Sequence, residues 1–230
     1  MGRIILSDFI SDIRGKVGGT VYSRNRFGFY RKALVIPINP RTEDQVKVRD
    51  LYTGASKLYG SLSNSQMLLW QSLAQNHPQT VRGKTTVLTS FLMFMKLNRN
   101  LQEIDETPIV DAPPYDEPQI FDSFSVDIVT TPGSEDITLN ISPAIASGTK
   151  IKVFATRVLK PGVRFVDGNF RKIAVLDSTF ISGGSIEAAY IAKFGGSPRT
   201  GEKAAFRIVA VSKASGFAGS SMQTISVATA

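Results

Sequence analysis

The chain has 230 residues, 42% hydrophobic and 20% charged, with a net charge of +8, a balance that buries a core and excludes a wholly disordered chain. It has no cysteine and a single histidine, His77, which excludes disulfides, thiol catalysis and cysteine metal sites and argues against a histidine-rich metal centre. No apolar run reaches the ~18 residues that span a bilayer, and Ser7 and Asp8 break the N-terminal stretch MGRIILSDFISDIRG short of a signal peptide, so neither a membrane partner nor export is expected.

The first candidate element is residues 14–32, RGKVGGTVYSRNRFGFYRK. Val17, Thr20, Val21, Tyr22, Phe27, Phe29 and Tyr30 are strand formers, and Asn25-Arg26-Phe27-Gly28 holds turn residues, so a hairpin is expected, with an extended arm as the alternative. Gly15, Gly18 and Gly19 let the chain pass close to another backbone. Arg14, Lys16, Arg24, Arg26, Arg31 and Lys32 alternate with Tyr22, Phe27, Phe29 and Tyr30. Guanidinium forks grip phosphates and aromatic rings stack on bases, which is one use of such a pattern. The preferred use is protein contact, in which the strands add to a neighbouring subunit and the arginines pair with its acids. Beyond it, Ile36-Pro37-Ile38-Asn39-Pro40 is held extended by its prolines.

Three helices are predicted next. Thr42-Glu43-Asp44-Gln45 is a capping box, followed by Val48, Leu51, Tyr52, Ala55, Leu58 and Tyr59 on one apolar face, with Gly60 as the stop. Ser63-Asn64-Ser65-Gln66 is a second capping box, leading into Met67, Trp70, Leu73 and Ala74 and ending at His77-Pro78. A third helix is expected from Thr86 to Leu101. A helix-turn-helix DNA reader is disfavoured, because Gln66 to Gln75 carries no Lys or Arg to reach base edges. His77 reads as a cap or surface residue. Gly15-Lys16-Val17-Gly18-Gly19 and Gly83-Lys84-Thr85 both lack the order of a phosphate loop.

Residues 101–120 hold six acids (Glu103, Asp105, Glu106, Asp111, Asp116, Glu117), no base, and Pro108, Pro113, Pro114 and Pro118. This reads as an extended, solvated linker, too flexible to hold the Asp105/Glu106 or Asp116/Glu117 carboxylates for acid–base chemistry. After it come seven short apolar-rich segments: Phe124 to Val129, Asp136 to Ile141, Ile151 to Thr156, Phe170 to Leu176, Ile186 to Ala192, Ala204 to Ser212 and Met222 to Ala228. Turn residues such as Gly148, Gly183-Gly184 and Gly216 punctuate them, the pattern of an all-β sandwich.

The runs GKVGGTVYSRNRFGFYRK, INPRTEDQVKVRDLYTGASKLYGSLSNSQMLLWQSLA and FLMFMKLNRNL resemble a family of uncharacterised phage and prophage proteins. The end of the chain, FRIVAVSKASGFAGSSMQTISV, resembles the last two strands of a fibronectin type III-like domain. The first resemblance implies a virus setting and carries no catalytic residues.

The expected fold class is thus α+β in separate domains. A basic arm or hairpin (1–41) and a three-helix domain (42–102) come first, then an acidic linker (103–120) and a fibronectin/Ig-like β-sandwich (121–230). The expected function is that of a bacteriophage virion structural protein, not an enzyme and without cofactor. It would be a multi-copy capsid decoration or cement protein, with a head–tail connector or tail protein as the alternative. A packaged or regulatory nucleic-acid binder is the other class. The partners would be other virion proteins and further copies of the chain, with nucleic acid as the second ligand of the arm. The protein would be made in the host cytoplasm and reside in the virion.

Overall fold

The computed structural model describes residues 2–3, 12–26, 28–81, 84–131, 133–160, 162–163 and 165–230, with only the backbone at Gly2, Arg3, Val81 and Lys84. The chain divides into two units, Met1–Val46 and Lys47–Ala230.

In the first unit, β1 (Gly2–Arg3), β2 (Gly15–Val17), β3 (Thr20–Asn25) and β4 (Gly28–Ala33) form an antiparallel sheet in the order β1-β4-β3-β2. The expected hairpin is β3–β4, closed by Asn25 opposite Gly28. A second tight turn, Gly18-Gly19, joins β2 to β3 with Val17 opposite Thr20. Gly18 sits at φ 55°, the left-handed region that glycine enters without a Cβ penalty. A lone hairpin is marginal in water, and here strands on both sides extend it.

Helix α1 (Glu43–Gly60) starts as its capping residues predict, with the Gln45 amide donating to Thr42 Oγ1 at 3.4 Å. Helix α2 (Asn64–Asn76) has the full capping box: the Gln66 amide donates to Ser63 Oγ, and the Ser63 amide donates to Gln66 Oε1 at 2.9 Å. Two short strands, β5 (Gln79–Val81) and β6 (Lys84–Thr86), pair with each other. That pairing takes Thr86 into a strand, so α3 (Ser90–Glu103) begins four residues later than predicted, capped by Thr89. Ala55, Leu62, Trp70, Leu73, Ala74, Met93, Phe94 and Leu97 make the helical core.

The C-terminal part holds β7 (Ser123–Val129), β8 (Asp136–Ser142), β9 (Thr149–Ala155), β10 (Arg171–Leu176), β11 (Gly184–Ser185), α4 (Glu187–Phe194), β12 (Lys203–Ser212) and β13 (Ala218–Thr229). The strands form one curled sheet in the order β10-β9-β12-β13-β7-β8-β11, so the fold is α+β with a sheet-rich half. Six of the seven predicted strands are present. The seventh, Ile186 to Ala192, is helix α4 instead: Ile186, Tyr190 and Phe194 recur every four residues, Glu187 opens the first turn and Gly195 closes the helix at φ 83°. The alternation read there was that of a short helix dense in apolar residues. Tyr190 is fully buried; its hydroxyl donates to the Thr156 carbonyl at 3.0 Å, and burial pushes its phenol up to about 12.

The segment 103–120 departs from the solvated linker of the sequence reading. Most of it has no regular structure, as its prolines require, but it is pinned at intervals along both halves of the second unit. Trp70 Nε1 donates to the Val110 carbonyl at 2.9 Å. The fully buried Asn98 donates to the Ile109 carbonyl at 3.1 Å and accepts from the Ile109 amide at 2.7 Å. Asp116 accepts from Ser212, and Pro118 is buried. Tyr115 stacks on His77 at 4.4 Å, and Phe217, in the β12–β13 turn, meets both rings edge-on. Acids that sequence composition assigns to solvent are also spoken for: Glu106 pairs with Lys150 at 2.9 Å and Glu103 with Lys152 at 2.8 Å.

The end of α3 rests on the sheet. Leu101 and Ile104 pack with Val211, Val209 and Val175. Gly216, at φ 73°, comes so close to α3 that an added Cβ would lie 2.5 Å from the Leu97 carbonyl oxygen. These contacts tie the helices and the sheet of residues 47–230 into one compact unit. Protease should therefore cut slowly within 105–119, and denaturant should unfold the unit in a single transition. Asn98→Ala should lower its stability by about 2–4 kcal/mol by leaving both backbone groups of Ile109 without partners, read as the shift in urea midpoint.

Burial by itself would raise the Glu103 carboxyl, but the Lys152 ammonium and the Arg99 guanidinium outweigh burial and hold it below its ordinary 4.5. A depressed folded value stabilises above the unfolded value and is lost as pH falls through the folded one. The protein should accordingly lose stability in acid below about pH 4.5, and Glu103→Gln should flatten that limb of the stability–pH curve.

Candidate assembly interface

The residues singled out in the sequence come together on the small sheet of the first unit, Phe27 alone lying outside the described residues. Directly paired residues of antiparallel strands share a face. On one face Tyr22 lies opposite Arg31, and Arg24 lies opposite Phe29. Cation and ring thus alternate along each strand and across the pair, and the Arg24 guanidinium sits 5.1 Å over the Phe29 ring. On the other face Val21 is flanked by Lys16 and Lys32, and Ser23 faces Tyr30. Tyr22, Phe29 and Tyr30 are half-buried, whereas Lys16, Arg24, Arg31 and Lys32 are exposed. Arg26 lies in the β3–β4 turn. Arg14 pairs with Asp12 at 2.9 Å, an exposed ion pair that contributes little stability.

Asp12 is the sole acid among residues 12–33, against six bases. Like charges crowded onto a small sheet repel one another and favour a partner that brings carboxylates or phosphates. The rings add apolar area beside those charges, as a protein contact or a stacking surface requires.

Sequence reasoning placed Val48, Leu51 and Tyr52 on the apolar face of α1 but could not tell that they stay 59%, 41% and 54% exposed. Their burial depends on what packs against the helix, which a periodic pattern does not encode. Leu68 and Leu69 of α2 are likewise turned outward. A cleft of about 610 Å³ lined by Val158, Leu159, Lys160, Val163, Glu202 and Ile225 was also invisible in the sequence, because loops distant in the chain build it. Its lining is largely aliphatic. His77 ends α2, its amide donating to the Leu73 carbonyl, and its ring is taken up by Tyr115 and Phe217. Among the described residues no group of three or more His, Asp or Glu is placed to hold a metal ion.

Comparison with known proteins finds no matching family model, no matching curated protein and no matching solved structure.

The two tight turns set the geometry of the arm. Gly18→Val forces a β-branched residue into the left-handed region at a cost of about 1–2 kcal/mol. Amide hydrogen exchange in β2 and β3 should quicken, while the urea midpoint of residues 47–230 stays unchanged.

Proposed function

We propose that this chain is a structural protein of a bacteriophage particle: a multi-copy, capsid-associated decoration or cement protein that holds its neighbours through the basic N-terminal sheet. The observation that carries the reading is the segregation of the arm. Residues 1–46 form a unit with a sheet of their own, and the exposed bases and half-buried rings of that sheet suit an acidic neighbouring surface. The resemblance of residues 14–101 to phage and prophage proteins supports the same setting. The strand groups β7-β8-β11 and β10-β9-β12-β13 support a fibronectin type III-like sandwich for residues 121–230. The two groups join only where β13 runs parallel to β7 at Ala228 and Thr229. Val126, Ile137 and Leu139 of one share a core with Ile151, Val153, Phe206 and Ile208 of the other, as two facing sheets do. Such a module spaces or binds, an inference from fold alone.

Head–tail connector and tail roles draw on the same features. Nucleic-acid binding is the second reading, and the Tyr22/Arg31 and Arg24/Phe29 alternation favours it, since rings can stack bases while guanidinium groups meet phosphates. The test is full-length protein carrying Arg24→Glu and Arg31→Glu. Under the structural reading, quantitative mass spectrometry of purified particles shows loss of incorporation, with the unfolding of residues 47–230 unaltered. Under the second reading, wild-type protein binds DNA with an affinity that falls steeply as salt rises, through counterion release. Normal incorporation of the double variant, with no DNA affinity in the wild type, overturns both.

A further inference from the structure

Strand β13 has a bare edge. Its pairing with β12 runs from Ala218 to Val227, whereas β7 meets it only at Ala228 and Thr229. The Ala228 amide donates to the Glu202 carbonyl on the β12 side, and the Thr229 carbonyl accepts from the Thr130 amide on the other. Alternation along the strand therefore turns the backbone N–H and C=O of Ser221, Gln223 and Ile225 away from β12. Among the described residues no strand pairs with them there. Sheet edges are ordinarily guarded by lysine, proline or a bulge. β13 holds no charged residue and no proline, and its break in register lies between Ala218 and Ser221, so residues 221–225 are open to a further strand. Their surroundings are acidic. Gly219 lies beside Pro118 and Gln119, next to the exposed Glu117, and Ser226 Oγ donates to the Val126 carbonyl of β7, next to the exposed Asp127. Residues 100–149, which supply both neighbours, hold ten acids and no base.

We propose that this edge receives β2 of a second copy, so that the basic sheet of one subunit continues the β-rich half of the next. The inference deepens the proposed function and rests on its reading of the N-terminal sheet as the element that holds neighbours. Strand β2 is itself an edge in the order β1-β4-β3-β2. Gly15 and Val17 pair with Tyr22 and Thr20 across the Gly18-Gly19 turn, which leaves the backbone groups of Lys16 facing away from β3. Setting Lys16 opposite Gln223 joins the two edges in antiparallel register. Directly paired residues share a face, so Lys16 then lies on the solvent side with Gln223. Val17, 67% exposed, comes opposite Met222, which packs against the core. Charge selects this occupant. The six bases of residues 12–33 come beside segments that hold acids alone. A second β13 about a two-fold axis would set the acid-only segments of two copies together, and the phosphates of a nucleic acid would meet the same repulsion.

The contact is head-to-tail: each copy offers an arm and an edge, so association does not stop at a pair. A strand this short binds weakly between free molecules and gains where many copies are held close together. Sedimentation velocity of the full-length protein should show oligomers that grow with concentration and recede as salt rises. Gln223→Pro removes an N–H that β12 does not use, an exchange that an edge strand tolerates. Lys16→Glu reverses the charge of an exposed side chain. Each should raise the dissociation constant at least about tenfold, with the urea midpoint of residues 47–230 unchanged. Because the chain has no cysteine, a mixture of full-length Lys16→Cys and Gln223→Cys should oxidise to a disulfide-linked pair of the two variants. Lys16→Cys mixed with Ser178→Cys, exposed beyond the opposite edge strand β10, should not. A monomer at every concentration with no mixed disulfide overturns the proposal. So does a chain carrying both Lys16→Cys and Gln223→Cys that closes only within itself, or Gln223→Cys that links only to its own kind. The virion reading is judged separately, by incorporation of the Arg24→Glu and Arg31→Glu variant: its loss from particles in the absence of self-association keeps that reading and gives the arm a different virion protein as partner.

Discussion

Helix α3 must bury two apolar surfaces, and no single neighbour can cover both. Along its length Met93, Phe94 and Leu97 face the other helices, whereas Leu101, together with Ile104 just past the helix end, faces the sheet through Val211, Val209 and Val175. Leaving either surface in water would forfeit on the order of 2 kcal/mol for each large side chain. The helical and β parts are therefore not independent neighbours joined by a tether. Gly216 records how close the approach is: with a side chain there, the β12–β13 turn could not reach the α3 backbone.

The strap from 103 to 120 follows from the same constraint. Once α3 lies on the sheet, the chain leaving it has to run along the junction between helices and strands. Its backbone groups are then near partners that a solvated linker would never meet, and Asn98, Trp70 and Gln66 take them up or bind its side chains. Glu103 and Glu106 end beside Lys152 and Lys150, whose positions on β9 are more than forty residues away in sequence. Acid-rich, proline-rich composition specified an extended path, which the structure has, but carried no information about what would line that path.

The arm obeys a different logic. Its order comes from ladder pairing and tight turns, and within residues 12–33 six bases stand against one acid. Pairing sorts a linear alternation of bases and rings into two faces, and that sorting depends on register: one residue of slippage would exchange every side chain between faces. Helix α1 is the counterpart, near neutral and apolar along one side.

Local chemistry determined what could be read from the sequence. The Ser63 capping box, the turn at Asn25–Gly28 and six of the strands depend on residues within a few positions of one another, as did the basic and aromatic membership of the arm. Helix α4 escaped because eight residues of mostly apolar sequence satisfy both the strand and the helix period until tertiary packing chooses between them. Which face of the arm each base occupies, the pinning of the acidic strap, and the exposure of Val48, Leu51 and Tyr52 were settled only by tertiary structure. The arm's faces follow from the register that its tight turns fix, whereas the strap and the α1 face depend on segments distant in the chain, and burial belongs to the pair of surfaces that meet rather than to either one alone.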